Sequence, residues 1–179
     1  MRIGLLVGSL RKESWNRKVA EVVKEFFPKN YEVDFIEIKD VPLYNEDLDT
    51  GIPHEAYQRL RESVRAHDGF IFFTPEYNRS YAPALKNAMD VVSRDSTGNG
   101  WAKKPAAVFS VTMGGFGGMA ANHALRQVFI YLDMIPLQQP EIYLAKIHEA
   151  FHEGQLDERT CAFLQHAVAE FVVHAEKLR

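Results

Sequence analysis

The chain opens on an apolar run, Ile3 to Val7, that ends at Gly8-Ser9, the pattern of a strand buried on both faces. From Asn16 the period changes: Val19, Val22, Val23 and Phe26 fall at helical spacing, and Pro28 stops the helix they predict. Tyr31 to Ile38 predicts a second strand, followed by an irregular stretch from Asp40 to Gly51 that contains Pro42. Pro53 is placed to open a helix carrying Tyr57, Leu60 and Val64. Asp68-Gly69 then turns into the aromatic strand Phe70-Ile71-Phe72-Phe73, which Pro75 ends. Leu85, Ala88, Met89 and Val92 trace a third helix, and the polar stretch Ser93 to Gly100 separates it from a strand at Ala106 to Val111. After a glycine-rich turn, Thr112 to Gly118, a fourth helix runs through Ala121, Leu125, Val128, Phe129 and Leu132, and a strand near Ile135 to Gln138 is bounded by Pro140. The last helix carries the stripe Leu164, Val168, Phe171, Val172 and Ala175, with Asp157 as its candidate N-cap.

Strands and helices alternate throughout, without repeats or low-complexity tracts, which predicts a doubly wound α/β fold: a parallel sheet with helices on both faces. The length, 179 residues, sets the expectation of a single domain over 1–179. Apolar residues at 46% and charged residues at 25% match a globular chain with a sizeable core. The formal charge of −3 gives no general attraction for nucleic acid or anionic lipid, so neither is an expected partner. Cys161 is the only cysteine, which excludes an intrachain disulfide and a Cys-rich zinc module and fits a reducing compartment. At the start of the last helix it reads as a small packing residue. The apolar N-terminus is too short to span a bilayer and reads as a buried strand of a cytoplasmic protein.

In an open α/β sheet ligands bind beyond the carboxyl ends of the strands, which nominates three loops: Gly8 to Asn16, Pro75 to Pro83, and Thr112 to Gly118. The first offers the hydroxyls of Ser9 and Ser14, the Arg11 guanidinium, the Asn16 amide and the free N–H groups of the following helix, all phosphate-binding groups. The competing reading makes Ser14 or Asn16 a helix cap and Arg11 a solvated side chain. No Walker motif is present. The second loop places Tyr77 and Tyr81 beside Glu76 and Asn78, so that a flat ring finds stacking surface and amide hydrogen bonds. Its competing reading is a turn set by Pro75 and Asn78, with the tyrosines packed on neighbouring helices. The third loop contains Gly114, Gly115, Gly117 and Gly118, where main chain can approach a ligand closely. Gly115 to Ala120 fits G-x-G-x-x-A, but after the fourth strand rather than in the first βαβ unit, where a dinucleotide fingerprint belongs.

A different chemistry is raised by His148-Glu149-Ala150-Phe151-His152, which fits the zinc-peptidase pattern H-E-x-x-H. That pattern works on a helix, where both histidines share a face. Pro140 before it and Gly154 after it leave little helix, although Glu170 or Glu176 offers a third ligand; the alternative is a surface turn.

Four segments together, G-S-L-R-K-E-S-W-N at Gly8 to Asn16, P-E-Y-N at Pro75 to Asn78, L-K-N-A-M-D at Leu85 to Asp90 and M-G-G-F-G-G at Met113 to Gly118, carry a resemblance over nearly the whole chain. The sequence resembles the NADPH-dependent FMN reductase family, the flavodoxin-like group that includes quinone, azo and chromate reductases. The resemblance implies a three-layer sandwich with a five-stranded parallel sheet in order 2-1-3-4-5 and FMN at its carboxyl edge. It implies that Ser9, Arg11, Ser14 and Asn16, with Trp15 among them, form the phosphate cradle. Pro75, Glu76, Tyr77 and Asn78 would hold the isoalloxazine ring, and Thr112, Met113, Gly114, Gly115 and Gly117 would line its pyrimidine side. Arg79-Ser80-Tyr81-Ala82 and Ala120-Ala121 depart from the run common in relatives, next to the face that meets nicotinamide and substrate.

The implied activity is hydride transfer from NADPH or NADH through bound FMN to a small-molecule acceptor: a quinone, azo dye, nitroaromatic, metal oxyanion or free flavin. The flavin carries the chemistry, so no catalytic side chain is expected. A homodimer or homotetramer is implied as well. The non-enzymatic alternative is a flavodoxin-like electron carrier, a group usually far more acidic than a net charge of −3.

Overall fold

A computed structural model describes all residues, 1–179. In chain order the elements are β1 (Arg2–Val7), α1 (Trp15–Glu25), β2 (Glu32–Phe35), a short 3-10 turn at Glu46–Leu48, α2 (Glu55–Arg65), β3 (Gly69–Thr74), α3 (Pro83–Ser93), β4 (Pro105–Val111) and α4 (Met119–Tyr131). After these come β5 (Ile135–Pro136), β6 (Ile142–Leu144), α5 (Ile147–Ala150), β7 (Phe151–His152), β8 (Gln155–Leu156) and α6 (Glu158–Lys177). The main sheet is parallel in the order β2-β1-β3-β4-β5, as the sequence implied, with β6 also paired to β4.

The alternation of side chains along each strand divides the core in two. Leu6, Phe70, Phe72, Ala106 and Val108 face α2, α3 and α4, where they meet Leu60, Leu85, Met89 and Phe129. Their neighbours Leu5, Val7, Ile71, Phe73, Phe109 and Val111 face α1 and α6, against Val19, Val23, Leu164 and Phe171. Because both faces are covered, every residue of β3 and β4 is buried, which explains their unbroken apolar runs.

Several boundaries differ from the sequence expectations for local reasons. The second strand is four residues long instead of extending to Ile38; Ile36 N donates to Leu5 O at 2.9 Å, and the chain then leaves the sheet. Pro53 precedes α2 rather than opening it, and His54 caps that helix, its Nδ1 accepting from Ala56 N at 3.1 Å. The expected fifth strand shrinks to Ile135–Pro136, and an unexpected second piece, Ile142–Leu144, rejoins β4 beyond Pro140, where the sequence placed the strand's end. Pro136 and Pro140 bracket the break, and neither has an N–H to give a ladder. Asp157 caps α6 as its position suggested, accepting from Thr160 N at 2.7 Å.

The zinc-peptidase alternative is overturned here. α5 ends at Ala150, so His148 lies in a helical turn while His152 lies in β7 of a small antiparallel hairpin. The two imidazoles therefore lack the shared helical face that the pattern requires, and no group of three or more His, Cys, Asp or Glu side chains is gathered anywhere.

Candidate active site

The loops after β1, β3 and β4 meet at the carboxyl edge of the sheet and enclose an open cavity of about 360 Å³. The first loop contributes Ser9, Arg11, Trp15 and Asn16, the second Pro75, Glu76 and Tyr77, and the third Thr112, Met113, Gly114 and Gly115. All eleven of these were singled out from the sequence. Gly118, noted with the glycines of the third loop, completes the wall together with Val111 and Phe116, which were not singled out. Phe116 had a legible signal, an aromatic residue set among glycines; its ring is 72% exposed at the cavity mouth.

Three further expected residues stand off the wall. Ser14 is buried and caps α1, its Oγ accepting from Arg17 N at 3.2 Å, so the capping role suggested for it is filled. Asn78 and Arg79 both have positive φ, 50° and 66°, and form a tight turn in which Tyr77 and Ser80 exchange backbone hydrogen bonds of 2.8 and 2.9 Å. Asn tolerates that conformation better than other side chains, which accounts for its place there. Gly117, at φ +61°, lies so close to the Tyr143 backbone that a Cβ would come within 2.7 Å of the carbonyl carbon. The tyrosines of the second loop also divide: Tyr77 lines the cavity, whereas Tyr81 packs against the core, and burial raises its phenol pKa.

The loops are fastened to each other by polar contacts. Asn16 Nδ2 donates to Val111 O at 3.2 Å, joining the first loop to the end of β4. Glu76 Oε2 accepts from Ala121 N at 3.3 Å. That bond caps α4 from a neighbouring loop, since Gly118 at the N-cap has no side chain to do so, and it sets a carboxylate at the positive end of the helix.

Three features of the cavity call for a ligand. No backbone N–H from Ser9 to Asn16 reaches a protein acceptor, so the loop and the first turn of α1 present a run of free donors. Asn16 Oδ1 is buried and unpartnered, which is costly unless a donor arrives. A Cβ on Gly115 would meet nothing within 4 Å, and one on Gly114 only Thr112 Oγ1 at 3.9 Å. Neither glycine is required by the packing of the chain itself, in contrast to Gly117 and Gly118, so the space left above them is available to a bound group. The donors, the cation of Arg11 and this backbone surface fit a flavin phosphate at one end and a flat ring at the other.

Comparison with known proteins points the same way. Residues 1–149 match the family model described as NADPH-dependent FMN reductase. A quinone reductase of Pseudomonas putida is 46% identical over 170 residues, covering 94% of this chain and 91% of its own length. A 2-hydroxy-1,4-benzoquinone reductase of a Burkholderia species is 37% identical over 144 residues, covering 80% of this chain and 78% of its own. Among solved structures, the flavoenzyme FerB, an NAD(P)H:(acceptor) oxidoreductase from Paracoccus denitrificans, superposes with a TM-score of 0.91 at 36% identity, covering 98% of this chain and 97% of its own.

Proposed function

The chain belongs to the NADPH-dependent FMN reductase family, and from that membership we propose that it binds FMN in the 360 Å³ cavity and reduces quinones with NAD(P)H. The observation that carries the reading is the run of unpaired N–H donors from Ser9 to Asn16 beside Arg11, at one end of a cavity whose other end is bare glycine backbone. FMN, when bound, supplies the redox chemistry: a hydride passes from NAD(P)H, and two electrons with two protons then go to the quinone, giving NAD(P)+ and the quinol.

The side chains bind and orient. Ser9, Arg11 and the start of α1 would hold the phosphate, with Ser14 fixing that helix end. Asn16 would border the ligand on the same side, with its Nδ2 kept on Val111 O. Tyr77 offers a ring face, Thr112 and Met113 line the third loop, and Gly114 and Gly115 let backbone approach the isoalloxazine. Asn78 supports the ring indirectly by making the turn that presents Pro75, Glu76 and Tyr77. This assignment treats residues 1–179 as one FMN-binding unit. It includes a homodimer or homotetramer, for which Ile130 and Tyr131, 73% and 88% exposed at the end of α4, offer apolar surface; sedimentation of the wild type and of an Ile130→Lys/Tyr131→Lys variant tests this, the variant being expected to shift to a smaller mass. A cytoplasmic location is part of the same reading; no helix is long and apolar enough to cross a membrane.

The test is to purify the protein, record its absorption spectrum, denature it and identify what is released. FMN is expected; FAD, or a colourless protein that ignores added FMN, would overturn the assignment.

A further inference from the structure

At its ring end the cavity carries apolar surface that the chain itself leaves uncovered. Tyr77 on the second loop, with Met113 and Phe116 on the third, lines the cavity and is exposed as they are. Phe116 stands between Gly115 and Gly117, so neither neighbour offers a side chain for its ring to pack on. One cation is brought to the same place. Arg79 follows Asn78 in the turn of the second loop, and its guanidinium carbon lies 5.8 Å from the centre of the Phe116 ring, within cation–π range.

The root of the Arg79 side chain is fixed and its head is not. The backbone is held by the reciprocal Tyr77 and Ser80 bonds, at a φ of 66°. The guanidinium is tied only by Nη1, which lies 3.5 Å from Glu76 Oε1, and the side chain is 74% exposed. Glu76 divides its charge, because its other oxygen accepts from Ala121 N at 3.3 Å. An exposed ion pair of that length holds its partners weakly. The remaining guanidinium N–H groups meet no protein acceptor and are free to turn to an arriving anion. Among the residues that line the cavity Arg11 is the one cation, and it belongs to the phosphate end. Selection by charge at the ring end therefore falls to Arg79.

We infer that Arg79, poised over Phe116, selects the electron acceptor and gives the enzyme a preference for quinones with a negatively charged substituent on the ring over their neutral counterparts. A flat acceptor entering between the second and third loops passes the Tyr77 and Phe116 rings, which give it apolar contact whatever its charge. A carboxylate or sulfonate on its edge then finds a planar fork of donors, the geometry in which arginine binds oxyanions. The inference rests on the reductase reading and narrows the acceptor that this reading left general.

The experiment compares 1,4-naphthoquinone-2-sulfonate with uncharged 1,4-naphthoquinone as acceptors for the FMN-loaded wild type and an Arg79→Gln variant. The two quinones differ in reduction potential, so the quantity read is the change, from one protein to the other, in the ratio of their kcat/KM values. That ratio should fall about tenfold in the variant, the low end for a charge-assisted hydrogen bond because the guanidinium is exposed. In the wild type it should shrink with added salt. Naphthalene-2-sulfonate, which carries no quinone, gives a readout without turnover: its binding to the oxidised holoprotein, followed by calorimetry, should weaken by a similar factor. Phe116→Ala should raise KM for both quinones, and a KM unmoved for both would place the acceptor elsewhere and overturn the subsite. An unchanged ratio in Arg79→Gln would make Arg79 a solvated turn residue. A rise in KM for NAD(P)H with the ratio unmoved would assign its charge to the coenzyme and overturn the inference as well. Each of these leaves the reductase reading standing, whereas a holoenzyme that NAD(P)H does not bleach, or that reduces neither quinone, sinks both.

Discussion

Single residues on the same loop carry different burdens, and substitution separates them. Arg11 has no carboxylate partner and makes one bond, to Glu13 O, so its guanidinium is free to meet an anion. A charge-assisted hydrogen bond is worth about 1.5 to 3 kcal/mol, and Arg11→Ala should therefore weaken FMN binding roughly tenfold to a hundredfold. Fluorescence titration checks this; equal affinity would make Arg11 a solvated loop residue. The glycine turn gives a sharper contrast. Gly117→Ala forces a Cβ to within 2.7 Å of the Tyr143 carbonyl carbon at a positive φ, so a loss on the order of 1–3 kcal/mol in thermal or urea unfolding is expected. Gly115→Ala meets no protein atom and should leave unfolding unchanged while lowering FMN affinity. The opposite pattern would mean that the space over Gly115 is not used by the flavin.

At the scale of elements, the long connection between β2 and α2 is held down by α2 itself. Arg61, 6% exposed, makes two 2.6 Å bonds to the Asp49 carboxylate and also donates to Val91 O on α3. Removing one member of such a buried pair strands the other, so Arg61→Ala should cost about 3 kcal/mol of stability by urea unfolding. Those hydrogen bonds hold the Asp49 carboxyl below its ordinary pKa, against the opposing effect of burial. A carboxylate whose pKa is lower in the folded chain stabilises above its unfolded pKa, and that contribution is lost as the pH falls through the folded value. Stability should therefore drop on the acid side of the carboxylate range. Asp49→Asn should be less stable at neutral pH and should show a shallower acid-side loss. An unchanged pH profile would show that the pair does not couple to folding.

For the molecule as a whole, sheet topology gathers loops that are far apart in sequence into one cavity. Two substrates that must reach the same flavin face cannot occupy it together, so the oxidised coenzyme has to leave before the quinone enters. Initial rates with NADPH and a quinone should give parallel double-reciprocal lines. Intersecting lines would mean that both bind at once.

The sequence by itself determined the alternation of strands and helices, the burial of the sheet on both faces and the three loops where a ligand could sit. It did so because each rests on a short-range property: side-chain period within an element, proline and glycine at its ends, and the rule that places ligands beyond the carboxyl ends of parallel strands. The family motifs added the strand order and the cofactor. Only the tertiary structure decided which loop residues reach the cavity. Ser14 turned to its own helix, Asn78 to its turn and Gly117 to Tyr143, while Val111, Phe116 and Gly118 joined the wall. Such outcomes depend on contacts like Asn16 with Val111 and Glu76 with Ala121, made between residues 95 and 45 positions apart. The same holds for the division of the last strand. A local pattern records what one segment prefers; the partner that a side chain finds across the sheet edge is set when the segments are packed together.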